Sequence, residues 1–250
     1  MKIILLGACG RMGKNVAELC AETGDTIVCG VDRFPSPMPF PVYPSFAEVA
    51  EQAEVVIDFS SAENLAERLN YCKAHKLPIL LAATGYSDRD LALIDSFAKE
   101  IPIFKTGNLS LGVNLLQLLA KKAAAALSDF DAEIIERHHN QKKDAPSGTA
   151  LMLAESVNEG FGNGKEFVYG RQGLVGARKN AEIGIHAVRG GNIVGEHEVM
   201  FAGTDEIVTL SHSARSRKVF ASGALKAAAW LIGKPAGLYD MSDLLAGIVS

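Results

Sequence analysis

The first half of the chain alternates between two kinds of pattern. Lys2-Ile3-Ile4-Leu5-Leu6 is a continuous apolar run followed at once by Gly7, the signature of a strand buried in a parallel sheet. Residues 14–23 carry Val16, Ala17, Leu19 and Cys20 at helical spacing, and residues 26–31 form a second apolar strand. The alternation continues with strands over 54–59, 78–82 and 101–105 and helices over 62–75 and 88–98. Between them, residues 34–44 hold five prolines, which exclude a helix or central strand and predict an extended surface connection. Strands alternating with helices predict a doubly wound parallel sheet, which binds ligands beyond the carboxyl ends of its strands.

The pattern then changes. Residues 111–127 form a long apolar helix, 131–136 a strand, and 151–157 part of a helix. A glycine-rich surface stretch spans 160–176. Strands over 181–189, 193–202 and 206–213 are mostly antiparallel in character, with turns at Gly190-Gly191-Asn192 and Gly203-Thr204-Asp205. An alanine-rich helix over 216–232 holds the sole tryptophan, Trp230, and 244–249 is apolar again. The expected architecture is α/β: a Rossmann-like doubly wound parallel sheet with a second α+β domain built on an open mixed sheet. The expected boundaries are 1–107 for a dinucleotide-binding domain, 108–215 for a substrate-binding and oligomerisation domain, and 216–250 for a segment packing back on the first domain and closing a cleft. An open sheet of this kind favours pairing with another copy.

Composition narrows the function. Hydrophobic residues make up 48% and charged ones 22%, which supports a real core and argues against disorder. The net charge of −4 gives no global attraction to nucleic acid or anionic lipid, so an anionic ligand must be met by local basic groups. Cys9, Cys20, Cys29 and Cys72 lack metal-site spacing and read as reduced core residues of a cytoplasmic protein. The start of the chain does not read as a signal peptide, and no apolar stretch approaches ~18 residues, so neither a membrane nor a metal is expected.

Two stretches carry candidate chemistry. Gly7-Ala8-Cys9-Gly10-Arg11-Met12-Gly13 joins the first strand to the first helix, and Asp32 ends the second strand. Glycines there let a backbone approach a pyrophosphate, the helix start faces it, and the acid takes ribose hydroxyls. The spacing is GxxGxxG rather than GxGxxG, and a packed turn without ligand is the alternative. Asp32 favours NADH, whereas Arg33 can pair with the 2′-phosphate of NADPH. The strand ends Phe59-Ser60, Ala83-Thr84-Gly85 and Gly107-Asn108 are further cofactor candidates. The second stretch, Arg137-His138-His139-Asn140-Gln141-Lys142-Lys143-Asp144-Ala145-Pro146-Ser147-Gly148-Thr149-Ala150, is the densest polar run in the chain. Paired imidazoles, ammonium groups and a Ser/Thr turn at a helix start suit binding a carboxylate and moving a proton. A basic solvated loop is the alternative.

These two motifs, the second taken from Glu136 to Ala150, with Val188-Arg189-Gly190-Gly191-Asn192-Ile193-Val194-Gly195-Glu196-His197, closely resemble the dihydrodipicolinate (4-hydroxy-tetrahydrodipicolinate) reductase family over essentially the whole chain. The resemblance implies hydride transfer from NADH or NADPH to the cyclic imine of a small dicarboxylate, in the diaminopimelate route to lysine. It implies His138 as proton donor and acceptor, Lys142 as a second proton donor, and His139, Lys142, Gly148 and Thr149 as carboxylate-binding residues. It implies cofactor contacts from Gly7, Ala8, Cys9, Gly10, Arg11, Met12, Asp32, Ala82, Ala83, Thr84, Thr106, Gly107, Asn108 and Leu109, and a homotetramer. Arg189, Glu196, His197, His212 and Arg215 fit either a site or a sheet role. Two rival readings are weaker. An acylating semialdehyde dehydrogenase needs a cysteine in its second domain, but all cysteines precede residue 73. A nucleotide sensor has no use for the His/Lys loop, and no DNA-binding module is visible.

Overall fold

The computed structural model, which describes residues 1–249, contains two sheets. The first has seven strands, β1 (Lys2–Leu6), β2 (Thr26–Val31), β3 (Val42–Tyr43), β4 (Val55–Asp58), β5 (Ile79–Leu81), β6 (Pro102–Lys105) and β12 (Gly237–Tyr239). Their order is β12-β6-β5-β4-β1-β2-β3, with every pairing parallel. The chain winds one way from β1 through β2 and the other way from β4 through β5. The switch point therefore lies between β1 and β4, where such sheets bind ligands.

The continuous apolar character of β1 follows from burial on both faces. Ile3 and Leu5 pack into one core with Val16 and Cys20 of α1 (Arg11–Thr23) and Ala224 and Leu231 of α6 (Lys218–Leu231). Ile4 and Leu6 enter the other with Leu69 and Cys72 of α2 (Leu65–His75) and Ile94 of α3 (Asp88–Phe97). Each of the valine, leucine and isoleucine side chains among these contributes about 1.5–3 kcal/mol by leaving water. Helix α3 is fixed at its start by a capping box between Ser87 and Asp90. Burial pushes the Cys20 thiol up to about 11 and that of Cys29 up to about 12, so both are protonated packing residues.

The second sheet is mixed, in the order β11-β10-β7-β9-β8. Its strands are β7 (Asp131–His138), β8 (Glu166–Tyr169), β9 (Glu182–Arg189), β10 (Gly195–Ala202) and β11 (Ile207–Ala214). Ala132, Ile134, Ile183, Ile185, Val199 and Phe201 on one face pack with Leu116 and Ala120 of α4 (Leu111–Ala126) and Leu153 and Val157 of α5 (Gly148–Gly160).

The structure revises four local expectations. Strands β9 and β10 are not a hairpin, because β7 lies between them, parallel to β9 and antiparallel to β10. The glycine-rich stretch contains β8, an edge strand too short to show a period. Tyr239 lies in a three-residue strand, β12, that its sequence does not signal. Strand β7 runs to His138, so the catalytic-looking run begins on the sheet rather than in a loop.

The chain divides by its internal contacts into two units. One is residues 1–111 with the segment from Arg217 onward, and the other is Gly112–Ser216. Strand β12 pairs with β6, and the last helix, α7 (Met241–Val249), places Met241, Leu244 and Leu245 in the core shared by β1 and α6. Among the described residues no helix is long and apolar enough to cross a membrane.

Candidate active site

In the first unit, the turn after β1 is held by Gly7 N–H donating to Val31 O and Gly10 N–H donating to Gly7 O. Gly7 has φ +70°, and a Cβ on it would lie 2.9 Å from the Phe59 carbonyl, so only glycine fits. A Cβ on Gly13 would overlap the carbonyl oxygens of both Gly7 and Ala8. This close approach explains the GxxGxxG spacing. The third glycine brings helix α1 against the turn, and Cys9, which stands where GxGxxG has its second glycine, is half-buried with its sulfur against the Ser36 backbone. Cys9 Sγ accepts from Ser36 N–H at 3.3 Å, and Cys9 N–H donates to Asp32 Oδ2 at 2.9 Å.

Helix α1 starts at Gly10 with no side-chain cap and no acid in its first turn. Its exposed N–H groups and dipole are left for an anion. Ala8 is buried, Met12 half-buried, and Gly10 and Arg11 exposed. Asp32 Oδ1 also accepts from Phe34 N–H at 3.1 Å, which leaves lone pairs on both oxygens. Gly7, Asp32, Arg33, Ser60, Ser61 and Arg68 line part of a cleft of about 410 Å³ at these strand ends. Arg33 is exposed, 3.5 Å from Glu63.

The other expected cofactor residues follow β5 and β6. Ala82 N–H donates to Asp58 O, Ala83 is buried, and Thr84 is exposed. Thr106 Oγ1 donates to Asn108 O and accepts from Asn108 N–H, while Asn108 Oδ1 accepts from Ser110 N–H, a tight turn that fixes Gly107 and buries Leu109. Sequence reasoning missed the group that shapes the β4 end. Asp58 is fully buried, with Arg68 Nε 3.0 Å away and Ser60 Oγ donating to it at 2.5 Å. Burial raises the Asp58 carboxyl, against the pull of Arg68 and Ser60. An acid ending an apolar strand, ten residues before an arginine on a helix, was the available signal.

In the second unit, the alternation of β7 puts Ala132, Ile134, Glu136 and His138 on one buried face. The first two meet apolar residues. The last two meet polar ones, so the core turns into a polar cluster at the end of the strand. Glu136 Oε2 lies 2.6 Å from His138 Nδ1. Arg189, ending β9, donates from Nη1 to Oε2 at 2.7 Å and from Nη2 to Oε1 at 2.8 Å. Ser147 N–H donates to Oε1 at 2.9 Å. Burial would raise the Glu136 carboxyl, but the hydrogen bonds from Arg189, His138 and Ser147 outweigh it and hold the group ionised.

The same loop brings Lys142 Nζ to 2.9 Å from both oxygens of Asp144, which Lys142 lowers. His139 is half-buried, and its carbonyl accepts from Lys142 N–H. A cis peptide precedes Pro146. Ser147 caps α5, its Oγ accepting from Ala150 N–H at 3.2 Å. Gly148 and Thr149 open that helix, whose first-turn N–H groups point out of its end.

His197 sits across the sheet from Glu136 and from His212. Its Nε2 is 3.1 Å from Ser147 Oγ, and its ring lies edge-on to His138 with centroids 5.2 Å apart. Burial, and then the neighbouring His138, lowers His197 to about 4. Burial also lowers His212, which packs on Gly112. Arg189 and His197 thus join His138, whereas Glu196 lies near Arg137 at 3.9 Å and Arg215 is exposed. Ser147 was visible in the motif and Glu136 stood just before it, but only the sheet register gives them their contacts.

Comparison with known proteins gives a consistent result. A family model described as the N-terminus of dihydrodipicolinate reductase matches residues 1–109, and one for its C-terminus matches residues 112–245. A protein of Caldanaerobacter subterraneus subsp. tengcongensis named 4-hydroxy-tetrahydrodipicolinate reductase is 51% identical over 246 residues, covering 98% of each chain. One of the same name from Caulobacter vibrioides is 47% identical over 251 residues, covering 98% of this chain and 97% of the other. The fold is shared with the solved structure of dipicolinate-bound dihydrodipicolinate reductase from Paenisporosarcina sp. TG-14. The TM-score is 0.82 at 24% identity, over 96% of this chain and 97% of that one.

Proposed function

The chain belongs to the dihydrodipicolinate reductase family, and from that membership we propose how its residues divide the reaction. It is an oxidoreductase that reduces the cyclic imine derived from 4-hydroxy-tetrahydrodipicolinate to tetrahydrodipicolinate, in lysine biosynthesis through diaminopimelate.

The first unit binds the nucleotide. The uncapped start of α1, the turn whose Gly7 and Gly13 leave no room for a side chain, and Asp32 at the end of β2 fit a dinucleotide. When bound, NADH or NADPH supplies the hydride. Residues 7–12, 82–84 and 106–109 contact it, Asp32 accepts from ribose hydroxyls, and Arg33 turns from Glu63 to a 2′-phosphate when one is present, so both cofactors serve. The second unit binds the substrate. Lys142, His139 and the first-turn N–H groups at Gly148 and Thr149 hold its carboxylates. His138 gives a proton to the atom left electron-rich by hydride addition, with Lys142 as a second donor. The protein works in the cytoplasm as a homotetramer joined through the mixed sheet.

The single observation that carries this reading is the His138 imidazole held at the end of β7 by a buried carboxylate. The test follows NADH and NADPH oxidation at the nicotinamide absorbance, with substrate made in situ from pyruvate and aspartate semialdehyde by the preceding synthase. Oxidation that depends on the synthase is expected, and the two rates give the cofactor preference. His138→Ala and Lys142→Ala each lower turnover by about a hundredfold or more with nucleotide affinity nearly unchanged. A large loss of NADH binding in either variant would show that the loop's role is misassigned.

A further inference from the structure

Glu136 is fully buried and accepts from three residues at once: the His138 ring, the Arg189 guanidinium and the Ser147 backbone. An ionised carboxylate can only accept, so the His138 proton facing it is on Nδ1. The opposite ring nitrogen, Nε2, faces Gly195, where a Cβ would stand 3.1 Å away. The glycine leaves the space beside that atom open. Arg189 also donates to Asp144 O at 2.6 Å, so one guanidinium ties the carboxylate to the loop that carries Lys142. Around His138 stand Glu136 on its own strand, Arg189 on β9 and His197 on β10, with Lys142 and Asp144 in the loop that follows.

We propose that Glu136, braced by Arg189, is the positioning residue of the proton-transfer group. It fixes His138 in its Nδ1–H form, aims Nε2 at the substrate, and stabilises the imidazolium before the proton leaves. The inference rests on reading His138 as the proton donor. In the step, the N–H bond at Nε2 breaks and a bond to that proton forms on the reduced substrate. The ring returns to neutral imidazole with its proton kept on Nδ1 and still donated to Glu136, and solvent restores the proton to Nε2. Glu136 stays ionised throughout. Removing Glu136 takes a negative charge from beside the ring, and removing Arg189 takes the positive charge that is paired with it.

The test uses the full chain with ¹⁵N-labelled histidine, following the His138 ring by NMR across the neutral pH range, with nucleotide titration and circular dichroism to establish folding. Wild type should show the Nδ1–H tautomer. In Glu136→Gln the amide can also donate, so tautomers mix and the titration midpoint falls by about one unit or more. In Arg189→Gln the unscreened carboxylate moves the midpoint up. A merely structural role would shift neither midpoint or both the same way, and either result would overturn the proposal. The pH profile of kcat is read on the same samples. The alkaline fall-off should begin at lower pH in Glu136→Gln and at higher pH in Arg189→Gln. If the NMR midpoints move apart while the kinetic ones do not, the positioning stands and the proton-donor reading fails. Should Glu136→Gln not fold, Glu136→Asp and Arg189→Gln still decide the matter, since the first keeps the wild-type tautomer and the second must shift upward.

Discussion

Single side chains at the end of β7 control two properties with one set of atoms. Ser147 caps α5 through its hydroxyl and meets His197 through the same oxygen. Ser147→Ala should cost about 1 kcal/mol for the cap and a further ~1–3 kcal/mol for the imidazole left without its partner, measurable by urea unfolding. Gly195→Ala puts a methyl group on His138 Nε2, so it should lower kcat while leaving NADH affinity unchanged in a fluorescence titration. At this scale the sequence was readable for residue types and poorly readable for pairings. The motif displayed His138 and Lys142 in a polar run. Nothing local revealed that Arg189, 53 residues away from Glu136, completes that carboxylate, because the pairing depends on β9 lying beside β7.

Among the elements, β7 has two unlike faces. Opposite the Glu136 side, Glu133 accepts from Arg171, Arg178 and His186, each within 2.6–3.0 Å. Burial would raise Glu133, but the hydrogen bonds from Arg171, His186 and Arg178 bring it down to about 2. A carboxyl depressed in the folded state stabilises fully above its unfolded value near 4.5, and that stability is lost as pH falls toward about 2. A neutral buried histidine such as His197 acts over a higher range. Its contribution is complete above about 6.5 and is lost as pH falls through about 4. Unfolding midpoints should therefore decline in two stages on acidification, with Glu133→Gln removing the lower stage and His197→Gln the upper. Arg171 and Arg178 also pin the glycine-rich stretch to the sheet. Arg178→Ala should speed hydrogen exchange there. Glycine content alone marked only a surface stretch, since the anchoring arginines are ordinary in composition and gain meaning only from Glu133.

For the molecule as a whole, the βα alternation made the parallel sheet legible, because burial on both faces demands continuous apolar strands. The order of the mixed sheet was not legible, since neighbours in sequence are not neighbours in space. The return of the chain to the first unit is built from small residues: Ala221, Ala224, Ala227 and Ala228 pack against the parallel sheet. A chain ended at Ser216 loses these with Leu231, Met241 and Leu244, and its parallel sheet loses β12. Nucleotide binding should disappear in that truncation, and the near-ultraviolet signal should fall to what the second unit's packed aromatics, such as Phe161 and Phe201, supply.

The same discontinuity sets an order of events on the ribosome. Residues 112–216 are a continuous stretch and are complete as soon as they emerge, whereas the unit begun first waits for roughly the last seventh of the chain. Strands β1 to β6 must spend most of translation without the helix that seals one of their faces. The half of the protein that is made first is the last to be finished, and during that interval it depends on whatever shields apolar surface in the cell.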